Sequence, residues 1–191
     1  MISRLSRIAT LILPVLVMAL TPAVNAAAQS PEAPRIAVME MGRIEREALA
    51  YQDLGGKFRQ ANEALLNELR AIQSSLEAES QELASQQAIL APEAFEQKRL
   101  EFEERVQQSN EQATARRQAL EAALVESRNS IISVLREVME EVANEYDLNL
   151  ILDRSNSDPT VLFTAPEIEI TGQILSRLDA RIQTVEFNVA R

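Results

Sequence analysis

Any chemistry in this chain has few residues to work with. Leu54-Gly-Gly-Lys-Phe58 carries the Gly-Lys pair of a phosphate-cradling loop. Such a loop also needs a glycine five residues before that pair and a hydroxyl after the lysine. Tyr51 and Phe58 stand at those positions, so the glycines read as a hinge opening a helix. Asp153, Ser155, Ser157 and Asp158 are spaced like the first ligands of a calcium loop. The sharp-turn glycine is missing and Thr164 replaces the bidentate acid, which leaves a polar hairpin turn. Glu93, Glu96, Glu101, Glu103 and Glu104 lie beside Lys98, Arg99 and Arg105 at helical spacing. Acid–base catalysis needs a cleft that separates carboxyl pKa values, and an extended helix supplies none. These groups read as a solvated face with i,i+4 ion pairs, and Arg116-Arg117 as cations balancing nearby acids.

Histidine and cysteine do not occur. Ser-His-Asp and Cys-His catalysis, histidine zinc sites and disulfide staples are thereby excluded. We expect no catalytic residue, no cofactor and no metal, and hence no enzyme. Formal charge is −10, and the only lysines are Lys57 and Lys98. Nucleic acid and anionic lipid are poor partners for such a surface, because phosphate binding wants clustered cations.

The first residues have the three-part form of a secretory signal. Arg4 and Arg7 are followed by an apolar run, Ile8 to Leu20, and then by small residues. Pro14 and Pro22, with an apolar run of only thirteen residues, argue against a spanning helix. Residues 1–26 are the expected signal, cleaved near Ala26 or Ala28, with 27–34 as a short linker and no remaining membrane anchor. Losing two arginines and no acid takes the charge from −10 to −12.

The elements that would position any site are dominated by one stretch. From Lys57 to Asp158 there is no glycine and a single proline, Pro92, in a background of Ala, Leu, Glu, Gln and Arg. These residues lose little side-chain freedom in a helix. Pro92 divides the stretch, so it reads as two long helices folded back at Ala91-Pro92, a hairpin arm over residues 54–146. In the first helix Phe58, Leu65, Leu69, Ile72, Leu76, Leu83 and Leu90 alternate spacings of three and four, interrupted by Asn62, Glu79 and Gln86. Phe95, Phe102, Val106, Ser109, Ala113, Leu120, Leu124, Ile131, Val134, Val138 and Val142 continue less regularly in the second. A period of 3.5 is a coiled-coil seam. The second helix is the longer, so its last turns need another partner.

That partner is expected in the flanking segments, 35–53 and 147–182, with 183–191 as a weakly structured tail. Arg35 to Met41, Asp147 to Leu152 and Thr160 to Thr164 read as strands, and Thr171 to Ile182 as a short helix with Thr171 as N-cap. Three short strands cannot close a sheet alone. Strands from several copies would complete it, with Ile36, Val38, Leu150, Leu152, Val161 and Phe163 as the expected oligomerisation residues. The fold class expected is mostly α with a small β part: a long antiparallel coiled-coil hairpin projecting from an oligomeric β body.

The flanking segments also carry a resemblance. Ile36-Ala-Val-Met-Glu-Met-Gly-Arg-Ile44 resembles the opening strand of the Skp/OmpH family of periplasmic chaperones. Tyr146-Asp-Leu-Asn-Leu-Ile-Leu-Asp-Arg-Ser-Asn156, Val161-Leu-Phe-Thr-Ala165 and Ile170-Thr-Gly-Gln-Ile-Leu-Ser-Arg-Leu178 resemble its closing segment. The resemblance implies a periplasmic homotrimer with a β-barrel body and three helical arms around a cavity. It further implies an ATP-independent holdase for unfolded outer-membrane β-barrel proteins. On that reading Leu83, Leu90, Phe95 and Phe102, near the Pro92 turn, are the expected client-binding residues. Strongly basic, lysine-rich arms are usual in the family, so no lipopolysaccharide or anionic-membrane site is carried over to this acidic chain. A structural adaptor hairpin of the cell envelope is the rival reading. It would need larger β domains than the fewer than thirty mature residues before Gly55 and the about forty-five after Tyr146 can form.

Overall fold

The computed structural model describes residues 33–155, 161 and 163–190. The expected signal, the linker to residue 32, and Ser157 and Asp158 of the polar turn lie outside the described residues. Pro34–Arg191 form one unit. Its elements are β1 (Ile36–Met39), α1 (Met41–Glu47), α2 (Leu49–Gln86), α3 (Pro92–Glu145), β2 (Leu150–Asp153), a 3-10 turn (Pro166–Ile168) and α4 (Thr171–Arg181).

β1 and β2 pair in parallel, with Ile36 opposite Leu150 and Val38 opposite Leu152. A parallel pair cannot be closed by a tight turn. The crossover here comprises α1, α2 and α3, so the long hairpin is the connection between two adjacent strands. On the far side of β1, Val38 bridges to Glu169, and the Ile170 N–H donates to the Val38 carbonyl at 2.9 Å. The strand expected at Thr160–Thr164 is replaced in that role. Val161, Phe163 and Thr164 are outside any strand, while the 3-10 turn begun by Pro166 delivers Glu169 to the flank of β1. The sheet is open.

The core gathers at this end. Ala37, Met39, Ile44, Tyr51 and Leu54 pack with Ile131, Leu135, Val138 and Val142 of α3 and with Ile174 and Leu178 of α4. The last turns of α3 thus take α4 as the partner that α2 does not supply. Arg177 pairs with Glu145, Arg181 with Glu141, and Arg128 with Glu45 at 3.3 Å, clipping α4 and α1 to α3.

Helix starts expose unpaired N–H groups that usually find a local cap. Distant carboxylates supply it here: the Met41 N–H donates to Asp153 at 3.0 Å, and the Leu49 N–H to Asp179 at 2.9 Å. Thr171 was the expected N-cap of α4 but is its first residue. Its hydroxyl is buried, accepting the Glu40 N–H at 2.9 Å and donating to the Glu169 carboxylate. Glu169 also accepts the Thr171 N–H at 2.9 Å, which is the capping contact. At its other end α3 closes through Asp147, whose φ of 58° lets the Leu148 N–H reach the Ala143 carbonyl at 2.7 Å.

The hinge expected at Gly55-Gly56 is not there. Both glycines lie within α2, and the chain breaks at Ala48, whose extended backbone ends α1 and begins α2. A fully buried Ala48 sits where a larger side chain would meet the core, so the corner is set by packing. A Cβ at Gly56 meets nothing within 4 Å. Gly56→Ala should therefore stabilise the protein by about 0.4–1 kcal/mol, through lower entropy of the unfolded chain. Urea unfolding checks this; a lower midpoint would mean that Gly56 faces a partner too close for a methyl group.

The tail departs most from expectation. Gln183–Ala190 has no regular structure yet is fixed to the base of the arm. Val185 is buried, its N–H donates to Asp53 at 3.0 Å, and its carbonyl accepts from Lys57 at 2.6 Å. Phe187 meets Phe58 edge-on, with ring centroids 6.5 Å apart.

Candidate functional site

The motifs that could have held chemistry are occupied by structural contacts. Lys57 lies in mid-helix, 2.7 Å from Asp53 and bound to the Val185 carbonyl, with no loop to cradle a phosphate. The Asp153 carboxylate accepts from the Met41 N–H and from the Ser155 hydroxyl at 2.7 Å. Among the carboxylates beside Arg99, Glu96 is held below its usual range by the hydrogen bond and charge of that arginine, 2.8 Å away. A general acid at neutral pH needs the opposite shift. Arg116 lies 3.7 Å from Glu68 across the hairpin, and Arg105 pairs with Glu79.

What the arm offers is surface. α2 and α3 lie along one another, and the chain reverses over residues 87–91. The α3 start uses Pro92 in its first turn, where the missing N–H has no helical partner to lose. Phe58, Asn62, Leu65, Leu69, Ile72, Leu76, Glu79, Leu83, Gln86 and Leu90 are all half-buried, as the spacing predicts. So are Phe95, Phe102, Val106, Ser109 and Ala113, with Arg99 and Arg116 at two further seam positions. Between Leu54 and Leu120 no side chain is buried. Two helices touch along one line only, so each seam residue keeps a flank in solvent.

The four expected client-binding residues all lie in this unburied region. Leu83 and Phe102 face each other across a small cavity of about 120 Å³, rimmed by Glu79, Lys98 and Arg105. Phe102 also lines a trough of about 480 Å³ with Leu69, Ile72, Leu76 and Ala113. Leu90 and Phe95 flank the turn. The periodicity did not point to Ile89, which is 80% exposed at the tip, or to Leu66, Leu100 and Val125, which are exposed along the helices. These residues fall off the seam, and that is the signal that could have found them: an apolar residue outside the heptad stripe has no zipping role.

The six expected oligomerisation residues divide. Val38 is buried within the chain, and Ile36, Leu152 and Val161 are half-buried. Leu150 is exposed and Phe163 is 83% exposed. Leu150 also borders an apolar groove with Met39, Met139, Ala143 and Leu148, between the sheet and α3. Among the described residues no helix is long and apolar enough to cross a membrane, and no group of acids forms a metal-ion cluster.

The sequence profile of the family described as Outer membrane protein (OmpH-like) matches residues 35–178, from the start of β1 to within α4. The chain belongs to the OmpH-like family. Among solved structures, an OmpH-like chain from Caulobacter crescentus CB15, described as a candidate outer membrane chaperone, matches with a TM-score of 0.74 at 20% identity. The match covers 84% of this chain and 93% of that one. At this identity the likeness shows the fold. No curated protein matches the chain. The OmpH-like match ends before the pinned tail, at residue 178.

That tail makes the base of this OmpH-like arm sensitive to acid. The Lys57 ammonium and the Val185 N–H both hydrogen-bond the Asp53 carboxylate and hold its pKa below the ordinary value. A carboxyl depressed in the folded state stabilises it fully above its unfolded pKa, about 3.9, and loses that contribution as pH falls through the lower folded value. Acidification below about pH 4 should therefore release the tail. Lower protection of the Val185 amide, relative to the intrinsic exchange rate at each pH, would report the release, and protection there that stays constant down to pH 2 would exclude it.

Proposed function

We propose that this protein is an ATP-independent holdase of the periplasm, which binds unfolded outer-membrane β-barrel proteins between its helical arms and prevents their aggregation. The observation that carries this reading is the arm without a buried side chain between Leu54 and Leu120. Such an arm presents Leu83, Leu90, Phe95 and Phe102 with one flank free, Ile89 largely bare and Leu100 more than half exposed. Exposed apolar surface of that extent marks an interaction site, and its polar interruptions keep the free protein soluble. Family membership and the Caulobacter structure's description support the chaperone assignment.

The assembly we propose is a homotrimer whose open sheets join into a barrel-like body, placing three arms around a shared cavity. The two-stranded sheet, with Leu150 and Phe163 both exposed in the single chain, supports this arrangement. A protein without histidine or cysteine, with Lys57 engaged by Asp53, gives ATP and zinc no evident foothold. Native mass spectrometry, with and without an outer-membrane protein diluted from urea, tests the proposal. A trimer that takes up one client and suppresses its light scattering without nucleotide is the expected result. A monomer, or a trimer indifferent to the client, would remove it.

A further inference from the structure

The tail contacts at the base of the arm form a site that the holdase reading does not use. Asp53 and Lys57, one turn apart on α2, hold the N–H and the carbonyl of a single residue, Val185. Across the groove, the buried Ser127 of α3 shares its proton between the Glu186 carbonyl at 2.7 Å and the Ala123 carbonyl at 2.8 Å. Val185 enters the core, Phe187 lies on Phe58, and Val189 is half-buried, while Glu186 and Asn188 point to solvent. The groove thus recognises main-chain groups and apolar side chains at alternate positions. None of these contacts requires the identity of the tail, and the Asp53–Lys57 pair is neutral overall, so a groove of this kind tolerates other sequences.

We propose that this groove is a second binding site, for extended polypeptide with apolar residues at i, i+2 and i+4, and that the tail is its built-in occupant. The inference rests on the holdase reading for the source of that polypeptide: strands of outer-membrane barrels alternate apolar and polar residues with this period. A client strand would displace the tail, taking Val185's hydrogen bonds to Asp53 and Lys57 and placing its own side chain against Phe58. The tethered tail competes at high effective concentration, so the site opens only to segments that outbid it or arrive already held by the arms.

The test uses the full-length protein and a fluorescein-labelled peptide of sequence Thr184–Ala190. In the full-length Phe187→Ala/Val189→Ala variant the tail's outer anchors are gone, and the peptide should bind about tenfold or more tightly than to the unaltered protein. Adding Ser127→Val to that variant should weaken peptide binding. A peptide of the same composition with its apolar residues adjacent should compete poorly. Equal binding to both proteins, or equal competition by the rearranged peptide, would overturn the inference. Should the variant lose helicity, hydrogen exchange in the unaltered protein decides: the Val185 amide should exchange faster with client bound, and unchanged exchange would overturn the inference too. Aggregation suppression measured alongside separates the two claims. Intact suppression with no peptide binding removes the groove and leaves the holdase, whereas absent suppression in the unaltered protein removes the holdase itself.

Discussion

Phe95→Ser combined with Phe102→Ser is expected to abolish most of the aggregation suppression we propose, while leaving helicity and assembly mass unchanged. Truncating a fully buried phenylalanine costs about 3–5 kcal/mol. Neither residue is fully buried, so the folding cost should be a fraction of that. Stability resides elsewhere: Ile131, Leu135, Val138, Val142, Ile174 and Leu178 are almost wholly enclosed at the other end of the molecule. Leu65, Leu69, Ile72 and Leu76 still close the proximal seam. Circular dichroism and native mass spectrometry establish that the variant is folded, and light scattering of a diluted outer-membrane protein reads its activity. Ile89→Ser with Leu100→Ser is the companion test, because these exposed side chains do not zip the hairpin. Loss in the first variant with reduced helicity and no loss in the second would mean that the phenylalanines serve only the arm. Full suppression by both would take the distal arm out of the client site.

Leu150→Asp with Phe163→Asp should convert the proposed trimer into monomers at micromolar concentration. Both side chains are exposed in the single chain, so the substitutions cost the protomer little. In a closed ring each interface would bury them, worth about 1.5–3 kcal/mol per side chain. An unpaired carboxylate at the same place costs several kcal/mol more. The effect recurs at every interface of a cyclic assembly. Light scattering would give the mass directly. A variant that remains trimeric would locate the interface away from Leu150 and Phe163. Loss of client binding in a folded monomer would show that one arm does not suffice.

The elements legible in the sequence were those governed by local periodicity. The heptad spacing from Leu65 to Leu90 identifies side chains that sit half-buried on the seam. Ile36 to Met39 and Leu150 to Leu152 were readable as strands because apolar runs of that length have few other uses. Interactions between distant segments were not legible. Gly55-Gly56 carries the local signature of a helix start, but the helix begins at Leu49, where Asp179 receives its first N–H from 130 residues away. Thr171 looks like a cap by its neighbours, yet Glu169 folds back to do that work and frees the hydroxyl for Glu40. The tail lacks helical or turn signals, so nothing local distinguishes a pinned Val185 from a loose one. Its alternation of Val185, Phe187 and Val189 was the available clue. At the candidate site the seam residues could be read, whereas Ile89 and Leu100 could not, since exposure depends on how many layers cover a helix.

Distant caps also impose an order on the chain's own birth. A ribosome releases β1 and α1 early, with Ile36, Val38 and Ile44 uncovered, and the hydrogen bond from the Arg35 N–H, just before β1, to Asn149 must wait for 114 further residues. The carboxylate for the start of α2 comes later still, at Asp179. At about 5–20 residues per second the nascent protein spends roughly six to twenty-six seconds with its body unassembled. The hairpin needs only neighbours and can form in that interval. Each copy therefore passes through a stage as an aggregation-prone chain, in want of the protection we propose the finished protein gives.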